Sequence, residues 1–381
     1  MFPERAFRPP ISMKEDRAMT GFYLDFPPTK GNPRNSEGGF LQPDENTILF
    51  AYSRYSGECA HDYATADIAL MRSRDGGKSW EDAGFITRCA DLGAMNVMSV
   101  SMLRMGNGDI AVFYLVRISW EEMYCVLRRS ADGGASWSAP VRCMPRKGYF
   151  VINNDRVTRL SSGRILIPAA EHPNWFDSQG NLHFMPSDAV FFYSDDDGVT
   201  WKESGARVSV DAPVCASGLQ EPGVVELKDG TLWGWGRTDL GRQAEFRSQD
   251  GGLTWTRAQP SRFTSPCSPL SMKRLTDGRL MAVWNPVPHH NITVLNRATG
   301  NRTPLVYALS GDDGKTWSDA AVIEDDPDSG YCYTAILPLG GDVLLAYCAG
   351  SAADFDSCLS RLRIRRMEVA GKREEATGSR Q

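Results

Sequence analysis

The sequence predicts an all-β fold made of six four-stranded antiparallel units, each about the size of a propeller blade. Three observations carry this. An eight-residue turn motif recurs five times: "SRDGGKSW" at 73–80, then "SADGGASW", "SDDDGVTW", "SQDGGLTW" and "SGDDGKTW" from Ser130, Ser194, Ser248 and Ser310. Six apolar stretches, each broken by a Gly- or Asp-containing turn, alternate with these copies. No long run of helical periodicity interrupts them.

Each copy of the turn keeps Ser, Asp two residues later, Gly at the fourth, Ser or Thr at the sixth and Trp at the seventh. Asp accepts backbone N–H groups and Gly permits positive φ, which is turn chemistry. The Trp supplies an apolar anchor for an otherwise polar turn. The intervening stretches are "FLQPDENTILFAYSR", "VSMLRMGNGDIAVFYL", "VTRLSSGRILIPAA", "VVELKDGTLWGWGR", "MKRLTDGRLMAVWN" and "AILPLGGDVLLAYC". All six read as β-hairpins rich in Val, Ile, Leu and aromatic residues. Five lead into a strand that ends in the repeated turn, and the sixth unit is to be closed by "LSRLRIRRMEV". Residues 1–370 are read as one domain, and the polar tail 371–381 as disordered.

Composition narrows the function. The chain has 381 residues, 41% of them hydrophobic, with net charge −5 and pI near 5.7. No Lys/Arg stripe is present, so nucleic acid is a poor partner. No apolar run is long enough for a membrane helix. Nine cysteines without a CxxC pair fit reduced thiols in the cytoplasm, and the N-terminus lacks the basic start and apolar stretch of a signal peptide. Secretion with a removed leader is the other compartment left open. His289 and His290 have no partners at metal-ligand spacing, and no metal is expected.

In a ring of blades, the strand lining the central channel should carry function once per blade. The segments entering the hairpins are "RNSEGG", "NVMSVS", "VINNDRV", "LQEPGVV", "SPCSPLS" and "GYCYTA". Polar residues at equivalent places in six blades point to one shared wet site.

Five Asp boxes on six hairpins make nearly the whole chain resemble the sialidase superfamily. That resemblance implies a six-bladed β-propeller with four-stranded antiparallel blades, its active site over the channel and its Asp boxes on the outer rim. Asp75, Asp132, Asp196, Asp250 and Asp312 are therefore expected to be structural. The resemblance also implies a retaining exo-glycosidase with a tyrosine nucleophile, an assisting glutamate, an aspartate acid/base and three arginines gripping the sugar carboxylate. A neutral phenol suits a substrate whose carboxylate on the attacked carbon would repel an anionic nucleophile.

Carried over residue by residue, "HDYATADIALMRSRDGG" offers Asp62 as acid/base and "EPGVVELKDGTLWGWGR" offers Glu221 and Arg237. "RTPLVYALSGDDGKTW" offers Arg302, and "SGYCYTAIL" offers Tyr331 as nucleophile. His61, beside Asp62, is read as an exposed loop residue. The family's Arg-Ile-Pro signature is absent. In its place stands "NPRNSEGGF", with Ser36 or Glu37 where the Arg belongs and Arg34 close by. Arg54 and Arg156, the latter beside Asp155, are further candidates to touch substrate, and Glu37 would add negative charge to the site. The substrate implied is a terminal sialic acid or related acidic nonulosonic sugar on a glycan, with no cofactor. Two alternatives remain: a propeller that binds a glycan or protein without hydrolysis, and a glycosidase acting on an uronic or deoxy sugar. Oligomeric state is not legible.

Overall fold

A computed structural model describes residues 11–12, 14–16, 21–288 and 298–369. His289, His290 and the tail 371–381 lie outside them. Six antiparallel sheets succeed one another along the chain and form the six blades of a β-propeller. Blade 1, for example, runs Asn35–Leu41, Ile48–Tyr55, Ala66–Ser73 and Ser79–Thr87 from the channel outward. Blades 2 to 5 begin on the inner strands Asn96–Arg104, Phe150–Val151 continued by Thr158–Arg159, Gln220–Glu226 and Ser271–Arg274. Among the described residues, no helix is long and apolar enough to cross a membrane.

Blade 6 differs from expectation in one respect. Leu362–Glu368, within "LSRLRIRRMEV", is its third strand, and the fourth is Gly21–Phe26 from the other end of the chain. Leu24 and Phe26 are buried against Leu362 and Ile364, so apolar contact closes the ring. Arg363 adds a forked ion pair to Asp25, with Nε–Oδ1 2.7 Å and Nη2–Oδ2 3.0 Å.

The repeated turns explain themselves at atomic level. Asp75 Oδ1 accepts the backbone N–H groups of Lys78 and Ser79 at 3.0 and 2.9 Å, and Oδ2 accepts the Ser79 hydroxyl at 2.6 Å. Ser73 Oγ accepts from Gly77 N at 2.8 Å, and Trp80 Nε1 donates to Gly77 O at 3.1 Å. Equivalent bonds hold Asp132, Asp196, Asp250 and Asp312. These donors hold the Asp196 and Asp312 carboxyls down at about 2.

The channel itself is filled by polar contacts between blades. Asn154 Nδ2 donates to Gly38 O at 2.8 Å and to Tyr333 O at 3.0 Å. Ser271 Oγ donates to Thr334 O at 2.6 Å. These bonds tie blade 3 to blades 1 and 6, and blade 5 to blade 6, directly beneath the channel mouth.

Candidate active site

The inner strands share a backbone defect that builds the site. In blade 1 the pairing jumps from Ser36↔Ser53 to Gly39↔Ala51, leaving two residues opposite one. The same jump occurs after Met98, Gln220 and Cys332 in blades 2, 4 and 6. The first residue of each bulge is left-handed: Glu37 at φ 55°, Ser99 at 59°, Glu221 at 47° and Tyr333 at 58°. Such conformations are costly for side-chain-bearing residues and cluster where a side chain must be re-aimed. All four line one cavity of about 370 Å³ at the channel mouth.

Tyr333 Oη donates to Glu221 Oε1 at 3.1 Å, and Arg237 Nη2 donates to the same oxygen at 2.9 Å. Glu221 Oε2 is buried without a hydrogen-bond partner. Burial raises the Tyr333 phenol well above its ordinary value, Glu221 adds to the rise, and Arg237 and Arg302 oppose it. The resting group is a neutral phenol whose proton points at a carboxylate. Arg237 Nη1 and Arg302 Nη2 converge on Cys267 O at 3.1 and 3.5 Å, and the Arg302 guanidinium lies 5.4 Å from the Tyr333 ring centre. Arg302 Nη1 also lies 3.0 Å from Cys332 Sγ.

Arg34 is buried beneath the opposite side of the mouth, 4.4 Å over the Tyr55 ring. Its Nη1 donates to Asp62 Oδ1 at 2.5 Å, its Nε to Ser36 Oγ at 2.9 Å, and its Nη2 stands 3.4 Å from Glu37 Oε2. Burial disfavours ionisation of Asp62, but its side chain is 60% exposed, which weakens that penalty. The charges of Arg34, Arg117 and Arg302 then decide, holding the Asp62 carboxyl below the usual carboxylate range. Glu37 goes the other way. Burial pushes it up to about 7 against the pull of Arg34, with Asp62 and Glu221 adding repulsion.

The structure separates several residues that the sequence grouped together. Tyr331 does not reach Glu221. Its buried ring packs between blades 5 and 6 beside Tyr347, Leu305 and Ile323, and burial with the nearby Glu324 charge pushes its phenol to about 12. Residues two apart share a face in a regular strand; the bulge at Tyr333 breaks that rule, so the second phenol and not the first turns into the channel. Arg54 precedes Tyr55 and so faces away from Arg34, over the Phe85 ring at 5.6 Å. Asp155 and Arg156 line a separate cavity of about 270 Å³ that shares none of the walls of the first. There Asp155 is bound to Lys273 Nζ at 2.6 and 2.7 Å. Arg156 donates to Leu270 O at 2.7 Å, close enough to Glu221 and Tyr333 to feel their charge but aimed elsewhere.

Reading the sequence missed the wall of the pocket. Arg117, Tyr63, Trp120, His172 and Phe184 line it, and His61 stacks on Tyr63 at 5.2 Å. Trp120 meets Tyr63 at 6.0 Å and Phe184 at 6.2 Å, giving one apolar flank. Burial and the Arg237 charge hold His172 down to about 4, so it is neutral near pH 7. Tyr333 itself was findable: stacking "EGGF", "SVSM", "EPGV" and "YTAI" by their following strands puts Glu37, Ser99, Glu221 and Tyr333 in one column. A larger depression of about 920 Å³ lies on the outer flank between blades 3 and 4, beside Arg207, Trp255 and Arg257. It gathers no phenol–carboxylate pair. Among the described residues, no cluster of three or more His, Cys, Asp or Glu side chains is arranged to hold a metal.

Residues 51–344 match the BNR repeat-like domain family. The chain is 27% identical over 248 residues to the anhydrosialidase of Macrobdella decora, covering 59% of this chain and 29% of that one. It is 24% identical over 334 residues to a sialidase of Bacteroides fragilis, covering 78% and 56%. It thus spans less than two thirds of the length of both curated relatives. Among solved structures, Trypanosoma rangeli sialidase in complex with sialic acid superposes with a TM-score of 0.66 at 18% identity, over 94% of this chain and 57% of that one. With six blades, five Asp boxes and a family match over residues 51–344, the chain belongs to the BNR repeat-like domain family of the sialidase superfamily.

Proposed function

We propose that the protein is a retaining exo-glycoside hydrolase that removes a terminal sialic acid or a related acidic nonulosonic sugar from a glycan. The observation that carries this reading is the hydrogen bond from Tyr333 Oη to Glu221 Oε1 inside a pocket rimmed by Asp62 and Arg237. Glu221 takes the phenolic proton as the oxygen attacks the anomeric carbon, so negative charge appears on Tyr333 only during attack. Asp62 protonates the leaving oxygen, then accepts a proton from the water that releases the sugar. Arg34, Arg237 and Arg302 supply the positive charge that a sugar carboxylate needs. The named activities of the curated relatives support this class of reaction.

Glu37 favours a second reading in which the chemistry is kept and the sugar differs. Its carboxyl, at about 7, adds a hydrogen-bonding group beside Arg34 that suits a hydroxyl or amine of the substrate. A panel of aryl glycosides of sialic, other nonulosonic, uronic and deoxy sugars separates the two. Release from an acidic nonulosonide by the wild type, lost in Tyr333→Phe and Asp62→Ala, is the expected result. Folded protein inert on every member would overturn the hydrolase reading in favour of a binding propeller.

A further inference from the structure

We propose that the substrate's carboxylate arms the general acid by displacing Asp62 from Arg34. The inference rests on the hydrolase reading above. A general acid must carry a proton at working pH. Asp62 in the ligand-free protein does not, because Arg34 Nη1 sits 2.5 Å from its Oδ1 and the charges of Arg117 and Arg302 reinforce the pair. The ground state therefore holds the acid in its unreactive form.

The geometry supplies the release. The main chain of Asp62 is fixed, since its carbonyl accepts from Asn96 Nδ2 at 2.5 Å and from Arg117 Nη1. Its side chain is exposed and free to rotate away from Arg34. Arg34 cannot follow, being 1% exposed and bound through Nε to Ser36 and through Nη1 to Ala60 O at 3.3 Å. Its Nη2 is buried and makes no hydrogen bond, with Glu37 Oε2 3.4 Å away as an ion-pair contact alone. A carboxylate laid across Nη1 and Nη2 fills that vacant donor and displaces Asp62 from the other, the forked geometry that guanidinium groups prefer.

Displacement removes the counter-ion of Asp62 and places a second anion beside it, and both effects favour its protonated form. One proton enters from solvent on binding. It passes to the glycosidic oxygen as the C–O bond breaks and its electron pair goes to that oxygen. Asp62 regains a proton from the attacking water. A neutral sugar leaves the Arg34–Asp62 pair intact, so acidic-sugar specificity is imposed on the chemical step as well as on binding. The other charged or titratable groups facing this pair are Glu37, Tyr55, Arg117, Tyr149, Arg302, the thiols of Cys348 and Cys358, and the neighbouring His61.

Calorimetric titration in two buffers of different ionisation enthalpy tests this. The probes are the uncleavable 2,3-didehydro analogue of sialic acid and its carboxamide, at about pH 6. There Glu37, with its carboxyl at about 7, already holds its proton in roughly nine molecules of ten and contributes little uptake. The acid probe should bind with uptake approaching one proton, and the carboxamide with almost none. Uptake should vanish in Asp62→Asn and persist in Glu37→Gln. Binding of the acid probe without uptake, or uptake that survives Asp62→Asn, overturns the inference alone. Wild-type protein that binds neither probe overturns the acidic-sugar reading and the inference with it.

Discussion

The inner strand of blade 6 turns left-handed at Tyr333, and that single backbone angle sends its phenol to a different place from that of Tyr331. Tyr331 stays on the face that packs against blade 5, while Tyr333 turns to Glu221. Tyr333→Phe should lower turnover of a cleavable substrate by about 10³-fold or more, because the attacking oxygen is gone. Tyr331→Phe should keep turnover within a few-fold. Equal losses in both variants, measured as initial rates, would contradict this assignment. Glu37 gives a second prediction at the same scale. Its carboxyl is at about 7 in the folded protein and near 4.3 in an unfolded chain. Between those values the native state holds a proton that the unfolded state has released. Stability linked to Glu37 is therefore greatest at low pH and is lost as pH rises through 7. Glu37→Gln removes that loss, so its advantage over the parent should grow from pH 5 to pH 8, to at most about 3 kcal/mol. Urea midpoints at the two pH values measure it; an offset independent of pH would refute it.

The repeated turn belongs to the scale of the element, and so does most of what the sequence disclosed. Ser73, Asp75, Gly77 and Trp80 satisfy one another within eight residues, so their spacing alone reveals the turn. Glu221 and Arg237 were legible for a related reason, since they stand at opposite ends of one hairpin. The bulges were not. A two-against-one register exists only once a partner strand is in place, so nothing in "GYCYTA" by itself says which Tyr faces inward. Trp80 is nearly fully buried among Phe40 and Phe50, whereas no Asp-box residue lines the pocket. Trp80→Ala should therefore cost about 3–5 kcal/mol in chemical denaturation. Its kcat per folded molecule should be unchanged. A kcat that fell in proportion to stability would tie the rim to the chemistry.

For the whole molecule the decisive pairing is Gly21–Phe26 with Leu362–Glu368. Asp25 and Arg363 lie 338 residues apart, so no local pattern announces that the N-terminal segment completes the last blade. This is why the sequence reading closes the sixth unit with "LSRLRIRRMEV" and misses the N-terminal strand that lies outside it. Deleting residues 1–26 should uncover the edge of Leu362–Glu368 with its apolar side chains. The expected result is a much lower calorimetric midpoint and higher-order species in gel filtration. A truncated protein that stays monomeric with an unchanged midpoint would show that the ring does not need this strand.

A circle fastened at one seam has a single place to come undone. The seam joins the earliest and latest stretches of the described fold, so folding must carry the entropy of a very long loop before the seam rewards it. Until then blade 6 offers a vacant berth that the same segment of a neighbouring molecule fits equally well. Concentrated refolding mixtures should consequently accumulate dimers that trade this strand reciprocally, each partner finishing the other's ring.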